Sequence, residues 1–89
     1  MLNRMLVKYR CPCCGRRTLK ERGGYEICPV CWWEDDPIQF ADPDYRGGAN
    51  QPSLNEAREN FRTLQVSDPS LRRLARLPYR EEWPGTHNG

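Results

Sequence analysis

The stretch Cys11-Pro12-Cys13-Cys14-Gly15-Arg16-Arg17-Thr18-Leu19-Lys20-Glu21-Arg22-Gly23-Gly24-Tyr25-Glu26-Ile27-Cys28-Pro29-Val30-Cys31 sets the architecture of this chain. Cys11, Cys14, Cys28 and Cys31 form two Cys-Pro-x-Cys pairs in the order C-x2-C-x13-C-x2-C. A C-x2-C turn puts two thiolates on one side of a tight loop, and two such loops face to face supply the four sulfurs of a tetrahedral site. The spacer is slightly shorter than the usual span of about 15–20 residues for such sites, which predicts a compact hairpin. Arg17–Lys20 reads as a strand, residues 21–24 as the turn and residues 25–27 as the return strand. Strands of about five residues extend ~17 Å and would bring the second knuckle back beside the first.

The fifth cysteine, Cys13, leaves an alternative register open, in which it replaces Cys11 or Cys14. Choosing Cys11 and Cys14 matches the pairing at Cys28 and Cys31. It also sets Gly15 just past the knuckle, where positive φ is commonly needed. Cys13 is then a bystander thiol. Disulfides would require an oxidising compartment, and C-x2-C disulfides close loops too small to stabilise much. Both zinc and iron accept four thiolates. A structural zinc ion, one per chain, is expected, with iron as the alternative.

The composition of the 89-residue chain calls for a metal, disulfides or a partner to stabilise it. Hydrophobic residues make up 37% and the mean hydropathy is −0.92. A chain this short buries only about 60% of its unfolded surface, so another source of stability is needed. Structural zinc in small peptides supplies roughly 10–16 kcal/mol of folding free energy. The net charge of +2 conceals a segregated pattern. Residues 1–31 carry +5, residues 32–56 carry −5 and the remainder carries +2. Four thiolates with one divalent cation would bring the formal total to zero, which weakens the case for a polyanionic partner. No apolar run approaches the ~20 residues of a membrane span. The opening residues lack the apolar stretch of an export signal, so no membrane association and a cytoplasmic location are expected.

Beyond Cys31, Trp32 and Trp33 cannot both face one way, so one is expected in the core and the other over the site or exposed. Glu34-Asp35-Asp36 with Pro37, and Asp42-Pro43-Asp44, read as acidic turns, their spacing being wrong for a calcium loop. Arg46–Asn50 reads as a flexible turn. Ser53 and Glu56 form a capping box. Leu54, Ala57, Phe61 and Leu64 follow as one apolar stripe, predicting a three-turn helix against the metal-bound half. Arg58 and Arg62 share another face, solvated or paired to the acidic loop. A second helix is expected from Asp68-Pro69 to just before Pro78, with Leu71, Leu74 and Leu77 opposite Arg72, Arg73 and Arg76. Tyr79 and Trp83 are expected to fold back onto the body. The expected organisation is a single domain over residues 1–84, with a ribbon half (1–48) and a helical half (53–78). Residues 85–89, including His87, are expected to form a flexible tail.

CysProCysCysGly, GlyGlyTyrGluIleCysProValCysTrpTrpGluAspAsp, AspProAspTyr-x-GlyGlyAlaAsn and SerLeuAsnGluAlaArgGluAsnPhe resemble the bacterial cysteine-rich CPCC family. The resemblance runs from about Tyr9 to Phe61 and implies a metal site on the matching cysteines; it brings no known reaction. The expected fold class is therefore a small metal-stabilised α+β domain: a zinc-ribbon or rubredoxin-like β-hairpin with two knuckles, then one or two helices. With one histidine, in the tail, and no nucleophile–base spacing or cofactor fingerprint, no enzymatic activity is expected. A structural-zinc binding module acting on a protein partner is the first functional expectation; its size suits an adaptor or a toxin-neutralising partner. A zinc-ribbon nucleic-acid binder is the second, and a rubredoxin-like iron electron carrier the third.

Overall fold

The computed structural model describes residues 8–84. The residues on which an export signal, a flexible tail or a role for His87 would rest lie outside that range. Two short strands, β1 (Tyr9–Arg10) and β2 (Arg17–Leu19), pair antiparallel, with Tyr9 opposite Leu19 and Arg10 opposite Arg17. The first knuckle is the tip of this hairpin. The second knuckle is the tip of another turn of chain, closed by an Ile27–Glu34 bridge. That turn is extended by Tyr25 N–H donating to Asp35 O at 3.0 Å and Asp35 N–H donating to Glu26 O at 2.9 Å.

The strand pairing therefore differs from the sequence expectation. Residues 25–27 lie beside residues 34–35, not beside Arg17–Leu19. The reason is local: positive φ at Gly23 (67°) and Tyr25 (63°) turns the chain aside before it can return along β2. Lys20 N–H donates to the Glu26 side chain at 2.8 Å instead of to a ladder partner.

A five-residue helix, α1 (Pro37–Ala41), replaces the expected acidic turn. Asp36 caps it, accepting from Ile38 N–H at 2.8 Å, and Pro37 occupies the first turn, where its missing N–H costs nothing. Asp36 also accepts from Ala49 N–H at 2.9 Å. Gln39, on the inner side of α1, is completely buried. Its amide donates to the carbonyls of Tyr45, Asn50 and Pro52, and its oxygen accepts from the backbone and side chain of Asn50. Residues 46–50 are thus fastened down rather than free. Gly48 is required there, because a Cβ would stand 2.7 Å from Asp36 Oδ2 and 2.8 Å from Gln39 Cδ.

Helix α2 (Leu54–Leu64) has the expected capping box. Glu56 N–H donates to Ser53 Oγ at 3.0 Å, and Ser53 N–H donates to Glu56 Oε1 at 2.9 Å. Its stripe faces inward: Leu54 and Ala57 are fully buried and Phe61 packs at the edge of the core. Gln65 ends the helix in the left-handed region. Arg62 pairs with Glu59 on the same helix, while Arg58 donates to Pro12 O at 3.0 Å. Neither arginine pairs with the acidic loop.

The expected second α-helix is a 3-10 helix, Pro69–Leu74, capped by Asp68. Leu71, Leu74 and Leu77 repeat every three residues, the period of a 3-10 and not of an α-helix. Leu74 and Leu77 are exposed, and the chain becomes extended at Ala75. A second 3-10 helix, Arg80–Glu82, packs on β2, and the first packs on α2. Trp83 folds back as expected, under the Arg16 guanidinium at 4.0 Å. No helix among the described residues is long and apolar enough to cross a membrane.

Candidate metal centre

The two knuckles share one backbone pattern. In the first, Cys11 N–H donates to Arg16 O and Gly15 N–H donates to Cys11 O, both at 2.8 Å. In the second, Cys28 N–H donates to Trp33 O at 2.9 Å and Trp32 N–H donates to Cys28 O at 2.8 Å. The residue after each second cysteine has positive φ, 77° at Gly15 and 66° at Trp32. Gly15 takes that conformation without cost, whereas Trp32 takes it against its Cβ. Trp32 is half-buried and Trp33 wholly buried, the division expected for the pair.

Facing one another, the knuckles bring Cys11, Cys14, Cys28 and Cys31 together, their Sγ atoms all within 4.8 Å. Cys11 and Cys31 Sγ are 3.6 Å apart, and Cys14 and Cys28 Sγ are 3.8 Å apart. A tetrahedron of sulfurs around zinc at ~2.3 Å has edges of about 3.8 Å. Those two separations suit a tetrahedral ion, and the four cysteines could hold one. All four are free thiols and all are buried. Cys13 is also buried but stands outside the four-sulfur group formed by Cys11, Cys14, Cys28 and Cys31.

Charge in the cluster is uneven. Cys28 is drawn well below the ordinary thiol range, chiefly because Cys11 and then Cys14 and Cys31 donate toward it; the Thr18 hydroxyl, 3.1 Å from its Sγ, adds a further donor. Cys31 is pushed up by its thiol neighbours, Cys11 foremost, and Cys11 is pushed up by Cys14 foremost. One thiolate is thus stabilised at the expense of the others. If all four were deprotonated, a cation among them would be needed to offset the buried charge, and the cluster could hold one.

Main-chain carbonyls of both knuckles are held from outside. Arg16 donates to Cys14 O at 2.8 Å and Arg58 to Pro12 O. Ser67 N–H donates to Cys31 O at 2.8 Å, and Arg76 N–H donates to Val30 O at 3.2 Å. Arg76 is itself anchored by a two-point pair with Glu82, at 2.9 and 2.8 Å. Sequence spacing gives no sign of these contacts. Thr18 was legible only as a strand residue, and Arg58 lies 46 positions from Pro12. The acidic residues gather no further cation site among the described residues. Asp35 accepts from Gly23 N–H at 2.5 Å, and burial raises its carboxyl above the usual range.

Among curated proteins, none matches the chain. The family model described as cysteine-rich CPCC matches residues 9–82. That match takes in the four clustered cysteines and runs well past Phe61, where the resemblance read from sequence stopped. It reaches Ser67, Arg76 and Glu82, the residues that tie the C-terminal segment to the second knuckle. The chain belongs to the cysteine-rich CPCC family.

Proposed function

We propose that this protein is a non-enzymatic binding module whose fold is held by one structural zinc ion on Cys11, Cys14, Cys28 and Cys31. The observation that carries the reading is the closure of the site: four sulfurs all within 4.8 Å of one another, every one buried. Catalytic zinc keeps a position open for water or substrate, whereas structural zinc is sealed by four protein ligands. When bound, the ion supplies charge neutralisation and cross-linking of the two knuckles. The chain's own residues do the rest: Thr18 donates to Cys28, the Gly15 and Trp32 amides hold the loops, and Arg58, Ser67 and Arg76 fix their carbonyls. The paired-knuckle backbone supports a rubredoxin-like variant of the zinc ribbon. Function then lies on the outer surface, in contacts with a protein partner, within the cytoplasm.

Metal analysis of protein purified without added metal, joined to affinity capture from the native host, tests both halves. The expected result is colourless protein with one zinc per chain and a stoichiometric protein partner. A red, reducible protein would replace zinc with iron and the binding module with an electron carrier. Capture of nucleic acid with steep loss of affinity as salt rises would replace the protein partner.

A further inference from the structure

Beside the first knuckle lies a groove of about 470 Å³, lined by Arg10, Pro12, Gly15, Arg22, Pro37 and Phe40 among others. Its size falls in the range of ligand pockets, roughly 300–1,000 Å³. Its apolar wall comes from the two prolines and from Phe40, which is 57% exposed on the outer side of α1, next to Ile38 at 60%. Large side chains left in water beside a concave apolar surface are characteristic of docking anchors. The floor at Gly15 is open, since a Cβ there would meet nothing within 4 Å.

The groove's charge is also unspent. Arg10 and Arg22 are exposed, and neither is ion-paired among the described residues, where the paired arginines are Arg46, Arg62 and Arg76. Arg22 lies over the Tyr9 ring at 4.5 Å. Stacking of this kind holds a guanidinium in place while leaving its N–H edges free for a carboxylate. Asp35, the acidic residue of the lining, is 3% exposed and its carboxylate is already engaged by Gly23 N–H. The contrasting hollow beside α2, about 380 Å³, has its Arg46 already paired with Glu56.

We propose that this groove docks an acidic peptide segment of a partner protein, an aromatic or aliphatic side chain entering between Pro12, Pro37 and Phe40 while flanking carboxylates meet Arg10 and Arg22. The assignment rests on the protein-binding reading above and specifies the chemistry of the partner. Two guanidiniums beside an apolar pocket favour a partner carrying both features, and the near-zero formal charge of the metal-loaded chain disfavours a polyanion held by charge alone.

The test is selection of a random dodecapeptide display library on the full zinc-loaded chain, followed by amide chemical-shift mapping with a selected peptide. The expected peptides carry acidic residues around an apolar anchor and shift the amides of Gly15, Gly23 and Phe40. Arg22→Glu and Phe40→Ala, both at exposed positions, should each weaken binding at least tenfold with zinc content unchanged. The proposal is overturned if no peptide is enriched, if the enriched peptides are basic, or if both variants bind as the parent does. It is equally overturned if an eight-residue thymidine oligonucleotide shifts the same amides at lower concentration than the peptide. A native partner that still binds both variants would remove the groove and leave the protein-binding reading standing. Peptide binding in the groove with no stoichiometric partner in the host would support the groove's chemistry and remove the wider reading.

Discussion

Thr18 and Cys13 illustrate how neighbouring residues acquire different roles around the same sulfurs. Thr18 lies on β2, buried, with its hydroxyl on Cys28 Sγ. Groups that orient metal ligands in this way are worth about 10–100-fold in metal affinity. Thr18→Val should therefore weaken zinc binding by roughly that factor, measured by competition with a chromophoric chelator, while stoichiometry stays at one. Cys13 lies between two ligands in sequence yet outside their cluster. Cys13→Ala should keep one zinc per chain, whereas Cys28→Ser should fall well below one, both read by elemental analysis. Retained stoichiometry in Cys28→Ser together with its loss in Cys13→Ala would reverse the assignment. The cysteine spacing pointed to the four cysteines that cluster, because a C-x2-C loop leaves its sulfurs few other arrangements. It gave no sign of Thr18, whose position depends on how far β2 runs past the knuckle.

Elements in this chain are short, and their polar ends hold them in place. Helix α1 has five residues, too few to stand alone in water. Its cap at Asp36 and the buried amide of Gln39 tie it to three carbonyls of the following loop. Gln39→Leu would leave those carbonyls without their donor, at about 1–3 kcal/mol for each buried group stranded. A loss of roughly 3 kcal/mol or more in urea unfolding of the zinc-loaded protein is expected, with zinc stoichiometry unchanged. The Asp-Pro signature was present at Asp36-Pro37 as at Asp68-Pro69, yet only the second was read as a helix start. A run of acidic residues with two prolines also fits a turn, and five residues carry too little periodicity to decide. Helix α2 was legible throughout, since eleven residues carry a cap and a full apolar stripe. The segment after it carries an α-like pattern yet forms a 3-10 helix, because three leucines at spacing three satisfy an approximate α period as well.

At the scale of the molecule, the C-terminal segment is joined to the second cysteine knuckle through the knuckle's backbone carbonyls. Ser67 and Arg76 donate to the carbonyls of Cys31 and Val30, so the C-terminal segment reads the geometry of the second knuckle. Removing zinc with a chelator should release this segment along with the knuckles. Cleavage by trypsin at Arg72 and Arg73 should then be at least tenfold faster than in the loaded protein. Equal cleavage rates would show that the segment docks without the metal.

The Arg76–Glu82 pair reinforces the same joint. Its hydrogen bond from Arg76 holds the Glu82 carboxyl below the ordinary glutamate range. The stabilisation is therefore present above the unfolded value, about pH 4.3, and is lost as pH falls through the lower folded value. Glu82→Gln should cost about 1–3 kcal/mol near neutral pH. The gap to the parent should narrow below about pH 4, measured by urea unfolding of both chains side by side. Acid would remove a thiolate-bound metal from both alike, so their difference reports Glu82.

The amino-acid sequence by itself determined the four clustered cysteines, the positive-φ site at Gly15, the split between Trp32 and Trp33, and the capped helix α2. The cysteines rest on two C-x2-C loops of four residues each, and the others on residues within about ten positions of one another, where spacing and backbone chemistry leave few choices. Tertiary structure decided which strands pair, because each knuckle closes its own turn and the chain between them is turned aside at Gly23 and Tyr25. It also decided that Arg58 serves Pro12, that Gln39 is a buried hub, and that Ser67 and Arg76 grip the second knuckle. These contacts join segments with no periodic relation, and their geometry exists only once two faces have packed around the four sulfurs.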